Sequence, residues 1–225
     1  MLKRMRDEPC DGSARRVLHS YWRSSSAWRV RLALEYKKLP YEYYAVNLLL
    51  NEESDPKYLA LNPTGGLPTL QDEGHVIPQS MAILEYLEER YPQISLLPRS
   101  FADRATVRGI ALIIVSGIQP LQNNVVLAAI EQKYKGDKNE WAKQVIGDGL
   151  AAVEASIAPI ASSFSMGSLP TMIDCCLVPQ VYNAVRFGVD MTMFPTINGV
   201  VGRLEQLDWV KAAHPDQMPD APRKS

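Results

Sequence analysis

The stretch YWRSSSAWRV, residues 21 to 30, sets Ser24, Ser25 and Ser26 at the start of a run that reads as a helix. A helix start presents main-chain N–H groups without intrahelical partners and a partial positive charge. Such an end stabilises an anion, a thiolate included, and serine hydroxyls can add hydrogen bonds to the sulfur. The same serines also make ordinary N-caps, with no chemistry attached. A second candidate is GGLPTL, residues 65 to 70, where Leu67-Pro68 stands just before a predicted strand. A cis bond there would turn the main-chain N–H and C=O of Leu67 outward, to pair with an extended peptide as an added strand does. A trans proline would only start the strand. The third is IPQSMAILEYL, in which Gln79 and Ser80 open another helix, again either an anion site or a simple cap.

The elements that must position these residues follow from periodicity. Residues 17–21 (VLHSY) form a short strand candidate. A helix over about 26–38 places Ala27, Val30, Ala33 and Leu34 on one face and Arg31, Glu35 and Lys38 on the other. Pro40 stops it, and the aromatic run YEYYAV (41–46) reads as the next strand. A β-α-β start favours a parallel strand pair with a crossover helix. A short helix over 55–61 follows. Strands over 69–71 and 75–77 are joined at the tight corner Asp72-Glu73-Gly74. A helix over 79–91 has Ile83, Leu84, Leu87 and Tyr91 as its apolar stripe and Glu85, Glu88 and Glu89 opposite. Beyond residue 103 only helical patterns remain, over about 103–134, 139–164, 171–187 and 196–207. The expected division is a disordered leader at 1–16, an α/β domain at 17–97, a linker at 98–103 and an all-helical domain at 104–225.

Composition bounds the rest. The chain has 225 residues, 46% hydrophobic and 22% charged, enough for a core and typical of a protein in water. A formal net charge of -1 argues against nucleic-acid binding, which calls for a basic excess. The longest uninterrupted apolar stretch, 110–115, is far shorter than a bilayer requires. The N-terminus is charged and lacks the apolar core of a secretory signal. Of three cysteines, Cys175 and Cys176 are neighbours and Cys10 lies in the leader; His19, His75 and His214 have no metal-ligand spacing. The default is a reduced, metal-free, cytoplasmic protein.

Taken together, YWRSSSAWRVRLAL, ALNPTGGLPTL, IPQSMAILEYLEERYP, GIQPLQN and DCCLVPQVYNAVRF resemble the glutathione transferases, and most closely their zeta class. The resemblance covers about residues 17–222. It implies an α/β thioredoxin-like N-terminal domain followed by an all-α C-terminal domain, the glutathione transferase fold. It also implies glutathione as cofactor, a homodimer and a small keto-acid substrate. By resemblance Ser24 and Ser25 are catalytic, and Ser24, Ser25, Ser26, Leu67, Pro68, Gln79, Ser80, Gln119 and Asn123 bind glutathione. Arg23 and Arg186 would hold substrate carboxylates, which guanidinium groups engage in bidentate fashion. The implied activity is glutathione-dependent cis–trans isomerisation of maleylacetoacetate; a conjugating transferase and a non-catalytic binding protein are the alternatives. Three departures from the class stand out. Ser26 replaces its cysteine, which excludes a nucleophilic or disulfide-forming residue 26. Gly66 replaces a larger polar residue, and Gly167-Ser168 replaces Gly-Asp. The box Thr171-x-x-Asp174 that starts the next helix is kept.

Overall fold

The computed structural model describes residues 16–222; the expected leader lies, but for Arg16, outside the described residues. Strand β1 (Val17–Ser20) leads into helix α1 (Ser25–Tyr36), which crosses over to β2 (Glu42–Ala45). After the short α2 (Pro56–Leu61) come β3 (Thr69–Asp72), β4 (His75–Pro78) and α3 (Ser80–Arg90). The sheet order is β2-β1-β3-β4, with β1 and β2 parallel and the other pairs antiparallel. The β3–β4 turn has φ of 49° at Glu73 and 81° at Gly74. Positive φ at both central residues matches the right-handed strand twist, and glycine takes it without cost.

The remainder is helical: α4 (Phe101–Leu112), α5 (Asn124–Gln132), α6 (Lys138–Ile157), α7 (Met172–Arg186), α8 (Pro195–Leu204) and the short α9 (Asp208–Ala212). Several expectations need correction. α4 starts at Phe101, capped by Ser100, inside the expected linker. The single helix expected over 103–134 is broken. It widens into a π turn at Ile113–Ile118 and tightens into a 3₁₀ turn at Gln119–Gln122 before α5. Pro120 cannot donate within a helix, and Asn123 caps α5 through Val125 N. The segment Phe101–Gln132 is, by length and composition, apolar enough to cross a membrane. It is not one helix, however, and it packs on α6 and α7. α6 ends at Ile157, seven residues short of the expected end.

The two halves share one core. Leu18, Val30, Leu34, Leu70 and Leu84 from the first half lie in the same buried cluster as Ile114, Leu150, Met172 and Leu177 from the second. α1 is the hinge of that packing, since α7 and α3 both lie against it. This overturns the solvent face expected for Arg31, which is fully buried. Its guanidinium donates to the Ser20 hydroxyl and to the carbonyls of Tyr21, Trp22 and Ala213, at the end of β1 and the end of α9. Burial pulls its pKa down to about 10, so it stays charged at neutral pH. Glu88 is likewise not on a solvent face. It is buried, pairs with Lys37 at 2.5 Å and accepts from Leu96 N and Ser95 Oγ. That pair fixes the chain leaving α3 to the end of α1.

α7 opens as expected. The Thr171 hydroxyl accepts from Ile173 N at 3.2 Å, and Asp174 accepts from Thr171 N at 2.7 Å. Asp174 also takes Ser165 N at 2.9 Å, so the irregular segment after α6 is bound to the same carboxylate. Cys175 and Cys176 are wholly buried free thiols. Burial raises both pKa values, Cys176 to about 11, which leaves them protonated fillers of the core.

Candidate active site

The sheet register brings the three candidate stretches to one end of the sheet. His19 pairs with Thr69 across β1 and β3, and Thr69 pairs with Pro78 across β3 and β4. The chain leaving β1 toward Ser24, the chain entering β3 from Pro68, and the chain leaving β4 toward Ser80 are therefore neighbours. Three segments separated by tens of residues meet because β1, β3 and β4 are adjacent strands.

Ser24 is the N-cap of α1, with extended backbone (φ −66°, ψ 113°), and its Oγ accepts from Ala27 N at 3.3 Å. Ser24, Ser25 and Ser26 are all half-buried. Capping and sulfur activation are not rivals here. The cap uses a lone pair of Ser24 Oγ, and the hydroxyl proton remains free to donate to an anion. No acidic residue lies in the first turn of α1 to compete for its positive end.

Leu67-Pro68 is cis, as expected. Neither main-chain group of Leu67 has a hydrogen-bond partner among the described residues. The loop before it is braced by side chains that periodicity alone does not mark. Tyr58 Oη donates to Gly66 O at 2.7 Å and pairs with Thr69 Oγ1 at 2.9 Å, and Asn62 Nδ2 reaches the same two oxygens at 2.9 Å each. Gly65, at φ 63°, is the glycine this loop requires, since a Cβ would also sit 3.2 Å from Glu53 O. Gly66 has no positive φ, so the missing side chain there is not forced by the backbone.

At the third end, Gln79 precedes α3 with φ 71°, a strained value for a residue with a Cβ. Its side chain is exposed and makes no cap. Ser80 is buried, and its Oγ accepts from Arg29 Nη1 at 3.1 Å. Arg29 comes from α1, so one side chain joins two of the three ends.

The two arginines expected to hold carboxylates act on one another electrostatically. Partial burial lowers the pKa of Arg186, and the charge of Arg23 lowers it further. Arg23 lies over the Trp22 ring at 5.3 Å and Arg186 over the Phe187 ring at 5.1 Å. Among the described residues neither forms a salt bridge. Two guanidinium groups that repel one another, with no carboxylate paired to either, favour a ligand that brings one.

Gln119 and Asn123 sit on the turn between α4 and α5, which packs against α6 and α7. No hydrogen bond ties either to the first three ends among the described residues; the Asn123 side chain is used as a cap. Gln122 pairs its amide with that of Gln180 on α7, and Trp141 Nε1 donates to Leu121 O at 2.9 Å. Gly149 on α6 faces this turn, and a Cβ there would overlap Cγ1 of the buried Ile118. Gly149→Ala is expected to destabilise the protein by about 1–3 kcal/mol, as overpacking a dense core does, seen as a lower thermal midpoint.

A contribution from the far C-terminal end has no signal in the sequence. Asp220 accepts from Trp22 N at 3.0 Å and from Tyr43 Oη at 2.8 Å. Burial raises the Tyr43 pKa, which keeps its phenol a donor. The chain after α9 is thereby fastened to the turn that carries Arg23 and Ser24. His214 adds edge contacts to Trp28 and Tyr182 at 5.3 and 6.3 Å between ring centroids.

Known proteins resemble this chain over most of its length. Residues 17–89 match the family model for the glutathione S-transferase N-terminal domain. The chain is 47% identical over 210 residues to a maleylacetoacetate isomerase of Dictyostelium discoideum, covering 91% of this chain and 95% of that one. A maleylacetoacetate isomerase of Anaeromyxobacter dehalogenans, solved with dicarboxyethyl glutathione and citrate in its active site, superposes with a TM-score of 0.86. It is 47% identical, over 94% of this chain and 99% of that one. A bacterial maleylpyruvate isomerase described as a zeta-class glutathione S-transferase gives a TM-score of 0.89 at 39% identity, covering 92% of this chain and all of that one.

Proposed function

The chain belongs to the zeta class of the glutathione transferases, and from that premise we propose that it is a glutathione-dependent maleylacetoacetate isomerase. The observation that carries this reading is the neighbourhood of Ser24 and the unpaired Arg23–Arg186 couple. The start of α1, capped by Ser24 and fit for a thiolate, directly follows Arg23 in the chain, one of the two arginines fit for carboxylates. Glutathione lies across the three ends. Its thiolate is held by Ser24, with Ser25 and Ser26 beside it, its main chain meets Leu67 and Pro68, and its carboxylate meets Gln79 and Ser80. Gln119 and Asn123 border the cleft from the helical half.

The chemistry needs no net oxidation. The glutathione thiolate adds to one carbon of the conjugated cis double bond, and the electron pair moves to the carbonyl oxygen as an enolate. The former double bond is now single and rotates. The enolate then re-forms the carbonyl, the carbon–sulfur bond breaks, and the thiolate leaves with the double bond trans. Arg23 and Arg186 hold the carboxylate ends while the centre turns. A nucleophile at residue 26 is not required, because the attacking sulfur belongs to glutathione. A homodimer in the cytoplasm completes the reading; Phe101, 89% exposed at the start of α4, is one apolar residue a second copy could cover.

The test is incubation of the purified protein with the cis diketo acid, with and without glutathione. Accumulation of the trans acid only when glutathione is present, with glutathione unconsumed, is the expected result. A stable glutathione adduct would make the protein a conjugating transferase, and no turnover with intact glutathione binding would make it a binding protein.

A further inference from the structure

We propose that Arg29 is a positioning residue that charges the α3 end of the glutathione site. Arg29 is 1% exposed, yet among the described residues no carboxylate pairs with it. Only Nη1 has a partner, Ser80 Oγ; Nε and Nη2 have none. The group that most opposes the effect of burial is the thiol of Cys176, itself neutral. A buried cation left in this state is expensive, and folded proteins ordinarily neutralise it. Its single hydrogen bond shows where its effect goes. With one lone pair engaged by Nη1, the Ser80 hydroxyl keeps its own proton to donate, and the uncompensated charge stands behind the first turn of an eleven-residue helix. An anion docking at Gln79–Ser80 is then the missing counter-charge. The inference rests on the reading that the glutathione carboxylate binds there, and it goes further. The affinity for that carboxylate depends on a residue that never touches it, and the protein without ligand carries the cost.

Three variants separate charge, hydrogen bond and packing. Arg29→Met removes both charge and donor, Arg29→Gln keeps a donor near Ser80 without the charge, and Arg29→Lys keeps the charge. Each is measured by calorimetric binding of glutathione and of its analogue with the γ-glutamyl α-carboxylate amidated, and by thermal denaturation without ligand. The expected result has four parts. Arg29→Met and Arg29→Gln bind glutathione at least tenfold more weakly and lose most of the wild-type preference over the amide. The KM for glutathione rises while kcat at saturation changes little. Arg29→Lys restores most of the preference. The ligand-free Arg29→Met or Arg29→Gln protein is as stable as wild type or more so. Equal weakening of glutathione and amide in the charge-removing variants would overturn the role of Arg29. So would an unchanged preference, or loss of folding in both Arg29→Met and Arg29→Gln, which would make Arg29 structural. A wild-type protein that binds acid and amide equally would instead overturn the placement of the carboxylate at Ser80.

Discussion

Replacing Ser24 by alanine should lower turnover about ten- to a hundredfold and leave glutathione affinity nearly intact. The size follows from one hydrogen bond to a charged acceptor, worth about 1.5–3 kcal/mol. The direction follows from geometry. Ser24 Oγ already accepts from Ala27 N at 3.3 Å, so what it offers a ligand is its proton, and that proton stabilises thiolate over thiol. The bound thiol in Ser24→Ala should therefore have a higher pKa than in the wild type, read as lost thiolate absorbance near neutral pH. The same substitution removes the cap of α1, at a cost of about 1 kcal/mol in stability. The two effects separate, because the thermal midpoint reports the cap and the thiolate absorbance reports the sulfur. Ser26→Ala should do much less, since Ser26 lies inside α1 and caps nothing. Ser26→Cys, which restores the class pattern, should leave the isomerase rate unchanged if the only reacting sulfur is glutathione's. A silent Ser24→Ala would reduce the three serines to a helix start.

Much of the frame was readable because local rules agree with the fold. Glu73-Gly74 demands a tight hairpin, and Thr171 with Asp174 starts α7, each through chemistry confined to a few residues; α1 instead ends at Tyr36, where Lys38 turns left-handed at φ 56° ahead of the expected stop at Pro40. The three candidate stretches were readable for the same reason, as each is a helix start or a proline turn. What periodicity could not convey was how many neighbours an element has. A charged residue at helical spacing reads as a solvent face, yet α1 is covered by both α3 and α7, and Arg29 and Arg31 are inside. Glu88 misleads in the same way, because Lys37 arrives from a distant part of the chain. The break at 113–122 is the converse case. The apolar pattern runs on, but Pro120 and the tight approach of Gly149 to Ile118 reset the winding. The Asp220 contact to Trp22 joins residues 198 positions apart, and nothing local announces it.

The arginine couple gives the other large effect. Arg186→Leu should raise the KM for the dicarboxylic substrate about ten- to a hundredfold, since a guanidinium–carboxylate contact is worth roughly 1.5–3 kcal/mol. Arg23→Leu should act in the same sense. The two will not add simply, because the groups repel each other before the ligand arrives. Removing one relieves the other, so the second removal, made alone, looks more costly than it is in the pair. Glutathione binding should survive either change, which distinguishes loss of the substrate end from collapse of the site. The natural control is a substrate series in which one carboxylate is esterified. Wild type should discriminate strongly against the monoester, and Arg186→Leu should not. Added salt should weaken substrate binding in the wild type more than in the variant, because a charge contact near the surface is screened. If Arg186→Leu leaves both KM and the monoester preference unchanged, the couple does not read the substrate. Its two unpaired charges would then need another anion to explain why α7 ends on one arginine beside another.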